Sequence, residues 1–277
     1  MSRVLDIAAL IETVTIVRHI DTTVSKRLAM PQTALPDRRD WKTALNALRK
    51  LLSDGDDTEQ VFVIMRALNA GNGKRNFARL VRTVEGGAMA FAQEELADRL
   101  SDPAYIAGFA PGTVGAAYRE FLRETGYTAM GLAEVSNLDK AEVPMRHPYA
   151  WFGRRIRDTH DIWHVLTGYK ADETLGEACL VAFSYAQVGG LGWAFIAGGA
   201  ALKSLVVTKS TLFARAVWEG YARGRRAQWL AGEDYHALLN EPIAAARARL
   251  GLRPAPLYAR AQAALGAFAS YASLKPA

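Results

Sequence analysis

Two histidines and an aspartate lie together in the middle of the chain, in the segment HDIWH. His160 and His164 are four residues apart, slightly more than one helical turn, so their imidazoles would project from one face of a helix and could bind one ion. Asp161 lies about 100° further round such a helix, so it either leans toward the ion or orients a ligand from outside. The spacing predicts a metal site on a helix.

A further candidate ligand, Glu177, precedes a run of 25 residues without a charge. A carboxylate at that position would be costly to bury without a cation or a hydrogen-bonded partner. Gly168 would end the histidine helix, and residues 170–175 would form the turn that returns the chain. We therefore expect a helical hairpin that brings Glu177 against the histidines.

The proposed ligands are two imidazoles with one or two carboxylates. This set suits zinc, Fe²⁺ or Mn²⁺ better than Cu⁺, and it resembles sites that keep coordination positions open for substrate. We expect zinc or iron first, with manganese or magnesium as further candidates. An HxxxH pair alone is often only two polar residues on a helix, so the carboxylates are what favours a metal.

The elements that must position these residues are helices. Half of the 277 residues are hydrophobic and 22% are charged, which is typical of a globular protein. Apolar residues recur at helical spacing, as at Val61, Ile64 and Leu68, so we predict an all-α fold. Glycine and proline predict helix breaks at Met30-Pro31, residues 54–57, Gly71 to Gly73, Asp102-Pro103 and residues 144–148.

We predict one multi-helix domain over residues 1–255 and an alanine-rich helical tail over residues 256–277 that docks on the core. The N-terminus has charges within its apolar stretch, which favours a core helix over a signal peptide. The uncharged run 178–202 is long enough to span a bilayer, but Gly189 and Gly190 predict a break into two shorter buried segments. The single cysteine, Cys179, is predicted to be buried, in a reducing cytoplasm.

Charge and aromatic residues around the predicted site suggest possible ligand contacts. Arg154, Arg155 and Arg157 precede the histidines and could bind an anionic headgroup or carboxylate, or simply form a solvated helix face. The aromatic side chains after Glu177 could line an apolar cavity or be plain core, namely those of Phe183, Tyr185 and Trp193. The net charge of +6 favours anionic partners, but no nucleic-acid motif accompanies it, so no nucleic acid is expected.

These motifs resemble the ubiquinone (coenzyme Q) biosynthesis protein 4 family, and the chain looks like a bacterial member. The family hallmark is HDxxH, about eleven residues, and Glu preceded by Gly; here HDIWH is followed, after twelve residues, by Glu177. The segment Pro111 to Gly115, with Tyr118 and Phe121, is similar to the family's PEGSLGRxYxxF. The family's closing elements are matched by Trp218, Gly224 to Arg226, Leu238, Pro242 and Ala246 to Gly251.

The resemblance implies a metal held by His160, Asp161, His164 and Glu177, and an apolar cavity for a polyprenyl-tailed lipid. It implies oxidative decarboxylation, in which the C1 carboxylate of a polyprenylated hydroxybenzoate is replaced by a hydroxyl. It also implies other quinone-biosynthesis proteins as partners, a homo-oligomer such as a dimer, and a cytoplasmic protein bound peripherally to the inner membrane.

Two other functions stay open at this point. The first is a non-catalytic scaffold that binds the prenyl lipid, organises partner enzymes and holds a purely structural metal. The second is an HD-type phosphohydrolase, which shares the His-Asp pair but uses an earlier histidine and a later aspartate as ligands. A position of Glu177 away from the histidines would favour the phosphohydrolase.

Overall fold

The computed structural model describes residues 39–53, 58–69, 71–131 and 148–273, with side chains to residue 265. In the N-terminal part the regular elements are seven helices, α1 Trp41–Ser53, α2 Thr58–Leu68, α3 Asn72–Leu80, α4 Val84–Ala92, α5 Leu96–Leu100, α6 Pro103–Ala107 and α7 Val114–Thr125. The predicted breaks at Gly71 to Gly73 and at Asp102-Pro103 are confirmed. The predicted N-terminal helix and the breaks at Met30-Pro31, 54–57 and 144–147 lie outside the described residues.

The second part contains the predicted site. Its helices are α8 Pro148–Asp158, α9 His160–Thr167, α10 Thr174–Val188, α11 Leu191–Thr208, α12 Leu212–Arg226, α13 Tyr235–Asn240, α14 Ile243–Arg249 and α15 Pro256–Ser273, with a 3₁₀ turn at Leu230–Gly232. The described ranges contain no strand, so the all-α prediction is confirmed.

Helix α10 is the centre of the core. Nearly all of its side chains are buried, and it packs along α12. The close approach depends on Gly220 and Gly224, because a Cβ at either position would lie within 2.6 Å of a backbone carbonyl oxygen of α10. Cys179 on α10 is fully buried, as predicted.

The uncharged run divides as predicted, but its second half is not buried. Gly189 and Gly190 have φ values of +68° and +90°, a conformation that glycine adopts without strain, and they separate α10 from α11. Only 22% of α11 is buried, although it is the one helix in the described ranges long and apolar enough to cross a membrane. The prediction of two buried segments is therefore wrong for α11, because one side of this helix has no covering element among the described residues.

Two segments that resemble family motifs pair directly with each other. The Val114 N–H donates to the carbonyl of Glu241, and the Ile243 N–H donates to the carbonyl of Gly112, both at 2.9 Å. This short antiparallel contact joins the start of α7 to the start of α14. Both helices contact α9, so the pairing frames the histidine helix.

The tail helix α15 docks on the core, as predicted, over the part whose side chains are described. Tyr258 and Ala261 are buried, and Leu257 and Leu265 pack against the main core. The contacts of α15 are with α12 and α10.

Candidate metal centre

Three side chains from the α9–α10 hairpin meet at one point. The Nε2 atoms of His160 and His164 are 3.3 Å apart. The Glu177 carboxylate lies 3.1 Å from Nε2 of His164 and 3.5 Å from Nε2 of His160. The predicted helical hairpin is confirmed, and its four-residue histidine spacing puts both imidazoles on one face.

These separations fit a bound divalent cation. Metal–ligand bonds of about 2.0–2.1 Å at tetrahedral angles place neighbouring ligand atoms roughly 3.3 Å apart, and all three of these ligand atoms lie within 4.8 Å of one another. His160, His164 and Glu177 could therefore hold one metal ion. Because Glu177 lies beside both histidines, the arrangement does not favour the HD-type phosphohydrolase.

The hydrogen bond of His164 fixes which ring nitrogen faces the other ligands. Its Nδ1 lies 2.8 Å from the carbonyl oxygen of Tyr169. A carbonyl can only accept, so Nδ1 carries the proton and Nε2 presents a lone pair toward Glu177 and His160. A second partner on the non-coordinating nitrogen is the usual way in which proteins orient a histidine ligand.

The end of α9 is held by contacts that keep the two histidines in register. Gly168 has φ of +79° and its N–H donates to the carbonyl of His164, as predicted for the helix end. Arg247 on α14 donates to the carbonyls of Leu166 and Val165. Arg223 on α12 donates to the carbonyl of Thr167 at 3.0 Å. Cations at a helix C-terminus bind its unpaired carbonyls.

Glu177 is placed by the tight start of α10. Its N–H donates to the carbonyl of Glu173, which forms the first helical turn. A Cβ at Gly176 would lie 1.9 Å from the carbonyl oxygen of Lys170, far closer than any real contact. The glycine before the ligand is therefore required for the hairpin loop, residues 168–173, to lie against α10.

The electrostatics of the three groups are coupled. Burial works to lower the pKa of His160, but the hydrogen bond and charge of Glu177, with the charge of Asp161, hold it above 6.5. Burial works to raise the pKa of Glu177, but the two histidines outweigh it and lower the value to about 2. The Glu177 carboxylate thus favours a positive charge beside it, which a bound cation would also supply.

One side of the cluster is closed, and the other keeps a small accessible surface. His164 is buried, and the ring of Phe121 on α7 stacks against it with centroids 6.1 Å apart. Tyr118 stacks in turn on Phe121. The side chains of His160 and Glu177 keep 16% and 12% of their surface exposed. A ligand would therefore approach from the side of His160 and Glu177.

Asp161 lies outside the group formed by the two histidines and Glu177. Its side chain is buried, and burial raises its pKa, against the opposing effect of His160 and His164. Its charge in turn helps to raise the pKa of His160. Its role as a ligand stays a prediction.

Of the three arginines that the sequence suggests could bind an anionic ligand, two form ion pairs. Arg154 pairs with Glu95 at 2.6 Å, and Arg157 pairs with Asp158 at 2.8 Å. Arg155 is buried and donates to the carbonyl of Glu233. The contacts of Arg154 and Arg155 attach α8 to its neighbours, whereas the ion pair of Arg157 lies within α8. A substrate role for Arg154 and Arg157 stays a prediction.

The three predicted lipid-binding aromatics have different environments. Phe183 is fully buried in edge contact with Trp163. Tyr185 stacks on Tyr221 of α12, with ring centroids 5.7 Å apart. Trp193 is half-buried on α11. Their part in lipid binding stays a prediction.

The sequence did not indicate the residues whose hydrogen bonds orient His164 and the end of α9. The carbonyl of Tyr169 and the guanidinium groups of Arg223 and Arg247 carry no motif that names them as supports. The basic residues of α14 are visible in sequence, but their target, the end of α9, is more than 80 positions away.

The chain matches known proteins in sequence and in fold. The family model described as coenzyme Q (ubiquinone) biosynthesis protein Coq4 matches residues 75–256. No curated protein matches the chain. The crystal structure of a candidate ubiquinone biosynthesis protein from Nostoc punctiforme is similar, with a TM-score of 0.58 and 20% identity; the match covers 78% of this chain and 100% of that one. The hairpin with its three candidate ligands lies inside the matched residues, and the chain belongs to the Coq4 family of ubiquinone biosynthesis proteins.

Proposed function

We propose that this protein is a metal-dependent enzyme of ubiquinone biosynthesis that replaces the C1 carboxylate of a polyprenylated hydroxybenzoate by a hydroxyl. The observation that carries the proposal is the convergence of His160, His164 and Glu177 at ligand distances, with a small accessible surface left at His160 and Glu177. A structural metal needs no access from solvent, so this accessible surface supports the enzyme over the scaffold.

The proposed reaction is a two-electron oxidation. The bond between C1 and the carboxylate breaks, carbon dioxide leaves, and a C1–oxygen bond forms. The oxidant is proposed to be dioxygen; with water as the oxygen donor, the balanced products are the phenol, carbon dioxide and hydrogen peroxide. When bound, a metal supplies a Lewis acid for the substrate carboxylate and, if it is iron, a redox partner for dioxygen, which zinc is not.

The protein's own residues set the orientation of the substrate. His164 is fixed by the Tyr169 carbonyl and by the ring of Phe121, so it acts as the immobile anchor of the site. His160 and Glu177 form the accessible side, where the aromatic acid would bind. Asp161 is proposed to hold His160 through its negative charge, as a support or as a fourth ligand.

Metal analysis beside a turnover assay tests this function. We expect the iron-loaded protein to release labelled carbon dioxide from a polyprenyl hydroxybenzoate carrying ¹³C in its carboxylate, with one dioxygen consumed for each. His164→Ala should lose both metal and turnover. His236→Ala is the matched control, because His236 lies at the surface and pairs with Glu94.

The results distinguish the enzyme from the non-catalytic scaffold. Metal-bound protein that turns nothing over, together with a His164→Ala variant that still supports quinone synthesis in a deficient host, would overturn the enzyme in favour of the scaffold. Protein without metal in both forms would overturn the metal centre itself.

We also propose that the enzyme acts at a membrane surface, through an outer face formed by α1 and α11. The two helices lie side by side and run in the same direction, since Trp41 contacts Phe195 and the Lys203 ammonium donates to the carbonyl of Leu52. The apolar side chains exposed on this face are those of Trp41, Leu45, Leu202 and Val206, with 52%, 41%, 64% and 61% of their surface accessible.

The charges of the outer face favour an anionic bilayer. Helices α1 and α11 contain no acidic residue, and their four charged side chains are those of Lys42, Arg49, Lys50 and Lys203. Apolar side chains with basic residues and a tryptophan are typical of helices that lie in the headgroup region. An isoprenoid substrate is confined to membranes, which supplies a reason for such a face.

Vesicle binding tests the outer face. We expect the protein to sediment with vesicles containing anionic phospholipid, less so with neutral ones, and less at high salt. Val206→Glu should reduce binding at least about tenfold, as expected for a buried charge against an apolar interface. Val84→Glu is the control, because Val84 is also an exposed valine but lies on α4. Equal loss with both variants would contradict the assignment of this face.

A further inference from the structure

The tail helix α15 contacts the hairpin loop from behind the metal centre. The ring of Tyr258 meets the ring of Tyr169 edge-on, with centroids 4.9 Å apart. The Tyr258 hydroxyl accepts the N–H of Lys170 at 3.0 Å and donates to the carboxylate of Glu173 at 3.3 Å. One side chain thus contacts three of the six residues of the hairpin loop.

Two of those contacted residues bind the metal ligands directly. The carbonyl of Tyr169 accepts the Nδ1–H of His164, and the carbonyl of Glu173 accepts the N–H of Glu177. The loop therefore sets the direction of one imidazole and the start of the helix that carries the carboxylate. The Lys170 N–H that donates to the Tyr258 hydroxyl belongs to the same peptide group as the Tyr169 carbonyl, and the hydroxyl reaches Glu173 through its carboxylate.

The tail helix is itself fastened in place. The N–H groups of Leu257 and Tyr258 donate to the carboxylate of Glu219 on α12, at 3.0 Å each. A carboxylate at a helix N-terminus satisfies otherwise unpaired N–H groups. One turn further on, Gln262 donates to both oxygens of Glu173 at 2.9 Å. Helix α12 thus anchors the start of α15, and Gln262 adds a second contact between α15 and the hairpin loop.

We infer that Tyr258 is a positioning residue for the metal centre, acting through Tyr169 on His164 and through Glu173 on Glu177. The segment matched by the family model ends at residue 256, two residues before it, so this support comes from outside the matched segment. The inference rests on the metal centre proposed above, but its test does not require activity. Removal of one hydroxyl should loosen the ligands without unfolding the protein.

Tyr258→Phe is the decisive variant, because it keeps the ring contact with Tyr169 and deletes only the hydroxyl. Tyr221→Phe is the matched control, since Tyr221 lies on α12 and stacks on Tyr185. The first readout is the rate at which a chelator removes Co²⁺ or Zn²⁺ from the loaded protein. Supports of metal ligands typically change metal affinity about 10–100-fold, so we expect about tenfold faster release from Tyr258→Phe only.

The second readout is the ¹⁵N NMR spectrum of the histidine rings in metal-free protein, with His164 assigned by its absence in His164→Ala. In the wild type we expect Nδ1 of His164 to be protonated throughout, because the Tyr169 carbonyl accepts that proton. Tyr258→Phe should give a mixture of ring forms, whereas Tyr221→Phe should match the wild type. Identical His164 signals in all three proteins would overturn the inference, whether or not the wild type binds a metal.

Discussion

Gly176 offers a direct test of how the hairpin aims Glu177. In Gly176→Ala the new methyl group would lie 1.9 Å from the carbonyl oxygen of Lys170 and 2.8 Å from its backbone C and N. The shortest ordinary contact is 3.4 Å, so the two segments must separate by roughly 1.5 Å, with no flexible side chain to absorb the movement. Gly176 directly precedes Glu177, so this separation would also displace the candidate ligand.

The substitution should change the free energy of unfolding and the metal affinity by different amounts. Overpacking at a tight site costs about 1–3 kcal/mol, so the free energy of unfolding of the metal-free protein should fall by that amount. A displacement of this size would also take the Glu177 carboxylate beyond its present 3.1 Å from His164. Lost orientation of a ligand should weaken metal binding by about 10–100-fold. The loss of affinity should therefore exceed what general destabilisation would cause.

The measurements are a chelator competition titration for metal affinity and urea unfolding in the presence of a chelator for stability. Gly153→Ala is the matched control, because Gly153 lies exposed in α8 and its new methyl group would meet nothing within 4 Å. Alanine is the better helix former, so the control should gain about 0.5–1 kcal/mol and bind metal unchanged. Gly176→Ala protein with wild-type affinity would refute the steric reasoning.

Three further predictions concern charge and burial. Metal affinity should fall by about tenfold per pH unit once the pH drops below the raised pKa of His160, because a proton competes with the metal there. Glu177, with a pKa of about 2, should add no pH dependence above pH 4. A titration of metal affinity from pH 8 to 5 measures both effects. Cys179 should resist a thiol reagent in the native protein and react once in urea, because burial raises the pKa of its thiol. Arg247→Met should lower the free energy of unfolding by about 1.5–3 kcal/mol, because carbonyls at the end of α9 lose a charged donor; a loss below 0.5 kcal/mol would contradict that role.

The cluster of His160, His164 and Glu177 could be predicted from the sequence because its arrangement is local. A four-residue histidine spacing fixes a common face on any helix, and the positive φ at Gly168 is a local property of a helix end. Glu177 was placed by the cost of burying an isolated charge. Each of these arguments needs only the helical period and the chemistry of one residue, so no tertiary structure had to be known.

The burial of α11 could not be predicted in the same way. Its composition is as apolar as that of α10, and hydropathy does not distinguish a helix covered on all sides from one covered on a single side. The break at Gly189 and Gly190 is local and was predictable. Tertiary packing decides which of the two helices is covered. Helix α12 packs along α10, because glycines on α12 let the two backbones approach closely.

The spacing between His164 and Glu177 is longer than in the family pattern, and its effect depends both on the local sequence and on tertiary contacts. The ligand directions depend on contacts at the two ends of the hairpin loop, at the Tyr169 carbonyl and at Gly176 against Lys170. Between them the chain passes through Asp172, which is exposed. A residue added at an exposed position of this loop changes its length but neither of the two contacts. Spacing alone is therefore a weaker constraint on the metal centre than the glycine before Glu177, which no other residue can replace without moving the ligand.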